Sequence, residues 1–237
     1  MSTQLRQLQE LEAARDTLTH MIVHDLRSPL TGLLAYLGLL GTVANGNAEV
    51  VEYASEAQLI ARRLTEMISQ VLDVSRLESG HMPLRLEETD LIALLRAAVA
   101  SLGPPPQGVT VAYEIPGSTF RLVCDPDLIS RVIINLVGNA YKFTPSEGQV
   151  VIGLAIETDR VRLTVTDSGP GVPPEFQGVI FEKFRQAPMR QSAGVRSTGL
   201  GLTFCKLAVE AHRGKIGMEG AENGGARFWV ELFRAMG

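Results

Sequence analysis

Val132-Ile133-Ile134-Asn135-Leu136-Val137-Gly138-Asn139-Ala140-Tyr141-Lys142-Phe143 carries two opposed faces on one predicted helix. At about 100° per residue, Ile129, Ile133, Leu136, Val137 and Ala140 gather about 100–200° around the axis from Asn135, whereas Asn139 and Lys142 stand within about 40° of it. The spacing predicts a helix over 126–142 with an apolar stripe for a core and a polar stripe pointing away from it. Two carboxamides supply neutral oxygen ligands and donors, and a nearby ammonium supplies a point charge, a set suited to Mg²⁺ with phosphates. An ordinary solvated helix face has the same periodicity. Asparagine is a weak mid-helix residue, however, and two aligned copies need a reason.

Around this helix the chain alternates short β-like runs, at 109–115, 150–156, 161–166 and 227–233, with helical stretches at 89–102 and 199–212. This texture predicts an α+β domain from Pro83 onward. Two glycine clusters flank its second half: Asp167-Ser168-Gly169-Pro170-Gly171 after a strand, and Ser197-Thr198-Gly199-Leu200-Gly201-Leu202 before a helix. Glycine lets backbone approach a ligand closely, and helix N-termini favour phosphate. Neither cluster has P-loop or dinucleotide-fingerprint spacing, and each alone could be a turn. Between them Phe181 and Phe184 could close a hinge, and 186–198 is small and polar, the composition of a lid. From Lys183 to Val209 there are five cations (Lys183, Arg185, Arg190, Arg196, Lys206) and no acid, a local field that attracts polyphosphate or belongs to a solvated loop.

Before His81–Pro83 the pattern is purely helical. Leu11, Ala14, Leu18, Ile22 and Leu26, then Leu30, Leu33, Leu37 and Leu40, recur every three or four residues. Asn45-Gly46-Asn47 breaks the run. Tyr53, Ala57, Ile60, Leu64, Met67, Val71, Val74 and Leu77 then form a second stripe that ends at Gly80. This is a helical hairpin, and a dimeric four-helix bundle buries the apolar surface that one hairpin leaves wet. His24 sits on the side opposite the first stripe, with Asp25 beside it. A carboxylate there can hold the imidazole in one tautomer and accept its proton, freeing the other nitrogen as a nucleophile. Pro29 loosens the helix one turn later, and an exposed surface histidine near a tolerated kink is the plain alternative. His20 and His24 have zinc-protease spacing, but Met21 stands where the catalytic Glu belongs.

Composition excludes other classes. The 237 residues hold 45% hydrophobic and 20% charged residues, the profile of a globular chain. Their net charge of −4 gives no electrostatic reason to bind nucleic acid. The imbalance lies in 1–82, with 6 basic against 10 acidic residues, while 83–237 holds 16 of each. Two cysteines, Cys124 and Cys205, without C-x-x-C or zinc spacing, indicate neither a disulfide framework nor a metal knuckle. The uncharged run 28–48 is too interrupted to span a bilayer, and no signal peptide is evident, so the chain is expected in the cytoplasm, with membrane attachment open to a longer form.

Taken in order, His24-Asp25-Leu26-Arg27-Ser28-Pro29-Leu30, Asn135 to Phe143, Asp167 to Gly171, Phe181-Glu182-Lys183-Phe184 and Gly199 to Leu202 resemble the H, N, G1, F and G2 boxes of bacterial sensor histidine kinases. The resemblance implies a dimerisation and phosphoacceptor hairpin (1–82), then an α+β sandwich ATP-binding domain (83–237) of the gyrase, chaperone and kinase type. It implies that Asp167 bonds the adenine amino group, Asn139 helps hold Mg²⁺, and Asn135 and Lys142 contact phosphates of ATP. Gly169 and Gly171 would shape the site, while Gly199, Leu200, Gly201 and Leu202 anchor a lid that also involves Phe181, Phe184 and Arg196. The γ-phosphoryl passes to His24 with Asp25 as base, then to the aspartate of a response-regulator receiver domain. No sensor domain fits before the H box, so input is expected from a removed domain or a partner. Ser28 departs from the Thr or Asn linked to phosphatase chemistry. Arg227 is expected where relatives often have Thr near the adenine. A nucleotide-binding scaffold that transfers nothing, or an ATPase driving a conformational cycle, are the rival readings.

Overall fold

The computed structural model describes residues 30–40, 42, 47–183, 185, 199–221 and 224–234. It divides into two compact units, Met1–Met82 and Pro83–Gly237. In the first, residues 30–40 form helix α1 and Ala48–Glu78 form α2. Asn47 caps α2, its side chain accepting from the Glu49 N–H at 3.2 Å. The helix stops where Gly80 turns left-handed at φ 69° and the His81 N–H bonds back to the Arg76 carbonyl.

The apolar residues of α2 occupy two adjoining faces. Ala61, Ile68 and Leu72 are buried with Leu30, and Leu34 packs against them. The stripe read from the sequence lies about 90° away, and much of it faces outward: Tyr53 is 66% and Ile60 65% exposed, and Leu64 and Met67 are exposed as well. A single pair of helices uses one face of each, so the wider apolar arc remains open.

The second unit begins with strand β1 (Glu87–Asp90) and helix α3 (Leu91–Ser101), whose N-cap Asp90 accepts the N–H groups of Ile92 and Ala93. Strands β2 (Thr110–Glu114) and β3 (Arg121–Cys124) follow, then helix α4 (Pro126–Phe143), β4 (Gln149–Ile156), β5 (Arg160–Asp167) and the short helix α5 (Pro174–Gln177). Helix α6 (Gly201–Ala211), β6 (Lys215–Gly220) and β7 (Ala226–Phe233) complete the unit. β1 and β3 pair as a separate antiparallel ribbon. The main sheet runs β2-β4-β5-β7-β6, antiparallel except for β2 alongside β4. α4 lies on β5 and α6 on β6 and β7, with α3 against α4.

β5 alternates strictly. Val161, Leu163, Val165 and Asp167 are buried toward the helices, while Arg160, Arg162, Thr164 and Thr166 take the other face. In α4 the predicted core stripe is realised, with Ile133, Leu136 and Val137 wholly buried, and Val132 beside the stripe is buried with them. At roughly 1.5–3 kcal/mol per buried aliphatic side chain, that face fixes the helix on the sheet.

Helix α6 ends on Arg213, a non-glycine residue at φ 57° whose N–H bonds to the Glu210 carbonyl, followed by Gly214 bonding to Val209. A Cβ in the left-handed region costs about 1 kcal/mol. Arg213→Gly is therefore expected to stabilise this unit by about 0.5–1 kcal/mol, raising its melting temperature by roughly 1–4 °C in calorimetry.

Candidate active site

The site is built where the end of β5 meets α4 and the start of α6. The two-residue period of β5 carries Asp167 onto the helix-facing side, where it is 7% exposed. Its Oδ1 accepts from the Gly169 N–H at 2.8 Å and the Ala226 N–H at 3.4 Å, whereas Oδ2 has no donor among the described residues. Burial pushes the carboxyl above the usual carboxylate range, and the two N–H groups pull it part of the way back. A buried carboxylate with one oxygen anchored and the other open is an acceptor of fixed direction.

Two close approaches fix the order of groups along α4. A Cβ on Gly169 would stand 2.7 Å from the Phe143 carbonyl oxygen, so the Asp167 loop lies at the C-terminal end of α4. A Cβ on Gly201 would stand 2.7 Å from Asn135 Oδ1, so α6 begins two helical turns earlier. Between these points run Lys142, Asn139 and Asn135, all half-buried on one stripe. Asn135 Nδ2 donates to the Arg131 carbonyl at 2.8 Å, which turns Oδ1 toward Gly201. No hydrogen bond joins the Asn139 side chain to another described residue. The Lys142 ammonium lies 5.1 Å from the Phe143 ring centre, and burial lowers its pKa.

Gly171 is left-handed at φ 71°. Gly199, at φ 70°, turns the chain into α6, with Leu200 buried at the N-cap, Gly201 opening the helix and Leu202 half-buried. Phe181 stands edge-on to Phe228, with centroids 6.4 Å apart. His24, Asp25, Ser28, Phe184 and Arg196 lie outside the described residues.

One expectation is corrected. Arg227 pairs with Thr166 on the sheet face away from the helices, its Nε donating to Thr166 Oγ1 at 3.1 Å and Nη1 lying 3.5 Å from Glu219. The residue beside Asp167 is Ala226, because the β7 register places 226 and 228 toward the helices and 227 away from them. The sequence reading also passed over Arg131 and Thr203. Arg131 lies one turn before Asn135 on the same stripe, its guanidinium 4.1 Å from the Phe204 ring centre, and extending the polar stripe by one step finds it. The Thr203 hydroxyl is buried without a hydrogen-bond partner among the described residues, which no sequence pattern signals.

With this geometry established, comparison with known proteins identifies the domains. Residues 14–80 match the model of the His Kinase A (phospho-acceptor) domain. Residues 124–236 match that of the histidine kinase-, DNA gyrase B- and HSP90-like ATPases. The chain thus joins a histidine-kinase phospho-acceptor domain to an ATPase domain of the type shared by histidine kinases, DNA gyrase B and HSP90. Among its relatives, the adaptive-response sensory kinase SasA of Synechococcus sp. (strain JA-2-3B'a(2-13)) is 33% identical over 236 residues, covering 95% of this chain and 61% of SasA. Sensor protein KdpD of Escherichia coli (strain K12) is 32% identical over 232 residues, 97% of this chain and 25% of KdpD. The chain thus spans about three fifths of one relative and a quarter of the other. Its fold is similar to the crystal structure of full-length ShkA in complex with AMPPNP, with TM-score 0.79, 30% identity, and 93% of this chain and 46% of ShkA covered. Residues 124–236 are accordingly an ATP-binding domain.

Because folding raises the Asp167 pKa, the native state holds that proton more tightly than the unfolded chain, so this carboxyl favours the native state at low pH. That contribution is lost as pH rises through the raised value. Asparagine keeps the Oδ1 acceptor and never ionises. Asp167→Asn is therefore expected to melt close to the parent in acid and above it near neutral pH; thermal denaturation across that range reads the difference.

Proposed function

We propose that the chain phosphorylates itself on His24 with ATP and passes the phosphoryl group to an aspartate of a response-regulator receiver domain. The observation that carries this reading is Asp167, with Oδ1 held by two backbone N–H groups and Oδ2 open at one end of the Lys142–Asn139–Asn135 stripe. Oδ2 would accept from the exocyclic amino group of adenine. The phosphates would run along α4 toward Asn135 and the first turn of α6, since a helix N-terminus favours anions. Gly169 and Gly171 shape the adenine end, and Gly199 to Leu202 the phosphate end. Phe181, Phe184 and Arg196 are assigned to the lid region by their place in the sequence.

Mg²⁺ fits the residues present. Asn139 offers a hard carboxamide oxygen that has no other described partner, and the described residues contain no cluster of three carboxylates, histidines or cysteines to cage an ion. Such a site suits a cation that binds through one protein oxygen, waters and substrate phosphates. When bound, it neutralises charge developing on the phosphates.

A neutral His24 nitrogen attacks the γ-phosphorus, the bond to the bridging oxygen breaks, and ADP leaves. Asp25 accepts the proton from the other ring nitrogen. Positioning and electrostatics do most of the work. Transfer to a receiver aspartate is supported by the phospho-acceptor domain match and by the histidine kinase ThkA, solved in complex with its response regulator TrrA. Ser28 in place of Thr or Asn favours a kinase with weak phosphatase action.

We assign 1–82 to dimerisation and phosphoacceptance and 83–237 to ATP binding, in a chain working in the cytoplasm. The outward apolar face of α2 supports a homodimer, since four exposed large side chains at heptad-like spacing need a cover. Ile60→Glu with Met67→Glu should convert a dimer into monomers by light scattering on a size-exclusion column.

With γ-labelled ATP and Mg²⁺, an acid-labile, base-stable phosphoprotein is expected. His24→Gln should abolish it and leave nucleotide affinity within about twofold. Asp167→Asn should weaken ATP and ADP alike, whereas Asn139→Ala should hurt Mg²⁺-dependent binding most. Full labelling of the His24 variant would overturn the assignment.

A further inference from the structure

We propose that Arg131 is a positioning residue for the phosphate end of the nucleotide site, holding the first turn of α6 against Asn135 by stacking on Phe204. The inference rests on the reading of ATP in this site and adds a residue to it. Three observations converge. The Arg131 guanidinium lies 4.1 Å from the Phe204 ring centre, and Phe204, the fourth residue of α6, is 1% exposed. The Arg131 carbonyl accepts from Asn135 Nδ2, so one residue orients Asn135 through its backbone and α6 through its side chain. The start of α6 meets Asn135 closely, since a Cβ at Gly201 would stand 2.7 Å from Asn135 Oδ1 and would push that carboxamide aside.

Charge points the same way. A guanidinium beside the first turn of a helix adds positive potential where phosphate oxygens would lie, in the same sense as the N-terminal end of the helix dipole. Lys142 cannot supply this charge, because it stands eleven residues away on α4, about 16 Å along the axis and at the Asp167 end. Planarity matters as well. A guanidinium stacks flat on an aromatic ring, whereas an ammonium on a flexible stem does not hold one geometry.

The test is calorimetric titration of the whole chain with adenosine, ADP and ATP, with Mg²⁺ present for the nucleotides. Arg131→Met should lose about tenfold in ATP affinity while adenosine changes by less than about twofold, and Arg131→Lys should restore only part of the loss. ATP binding unchanged in Arg131→Met would overturn the proposal. Equal losses for ATP and adenosine would also overturn it, since that is the mark of a purely structural residue. Should Arg131→Met fail to fold, Arg131→Lys and Phe204→Leu carry the same comparison, each expected to lose more for ATP than for adenosine. A parent chain that gains no affinity from adenosine to ATP would defeat the underlying ATP reading as well, and shows itself before any substitution is made.

Discussion

The antiparallel clasp of α4 and α6 is the constraint on which the ATP-binding domain depends. It is closed at both ends and along its length. At the N-terminus of α4, the Asp125 N–H donates to His212 Nε2 at 2.9 Å, while His212 Nδ1 faces the Ala208 carbonyl at 2.7 Å. One partner is a donor and the other an acceptor, so the ring must carry its proton on Nδ1. Asp125 in turn caps α4 through Leu128 and accepts the Arg85 N–H, tying in the chain that enters the domain. Midway, Arg131 stacks on Phe204 and the Cys205 thiol faces the Val132 carbonyl. At the far end Gly201 abuts Asn135. Two helices pinned in this way cannot slide, and the separation between the Asp167 loop and the start of α6 follows from the pitch of α4.

The sheet beneath the clasp has two chemically different faces. Toward the helices it presents apolar side chains, Phe228 among them, and one carboxylate. Away from them it presents ion pairs, with Glu231 5% exposed in its side chain between Arg162 at 2.7 Å and Arg160 at 3.7 Å, and Arg162 over the Trp229 ring at 4.9 Å. A buried carboxylate with two guanidinium partners is tolerable where a solitary one would not be. The contrast isolates Asp167, which has no cationic partner among the described residues and relies on two backbone N–H groups.

Much of this was legible in the sequence because it rests on local periodicity. The α4 faces follow from residue spacing alone, and the glycine clusters mark close backbone approaches regardless of tertiary context. What escaped depends on pairing. The strands β1 and β3 are only four residues each and β1 is wholly polar, and β6, Lys-Ile-Gly-Met-Glu-Gly, lacks clean alternation; these elements exist because partner strands supply the hydrogen bonds. Arg227 was placed on the wrong face for the same reason, since a one-residue error in strand register reverses every side chain. The α2 stripe was real, but periodicity cannot tell which of two apolar faces meets the neighbouring helix and which remains open.

Asp167 shows why the site costs stability. A neutral residue would sit there more easily, because burial opposes the ionised form and no described cation offsets it. The surrounding glycines narrow the alternatives, since Gly169 admits no side chain against Phe143 and the Asp167 carboxylate itself. The loop is therefore built around an acceptor whose anchored oxygen fixes the direction of the open one. An aspartate kept charged in such a pocket gains its best partner only when a donor arrives from outside the protein, so the desolvation that weakens the empty domain is the same quantity that sharpens recognition of the ligand.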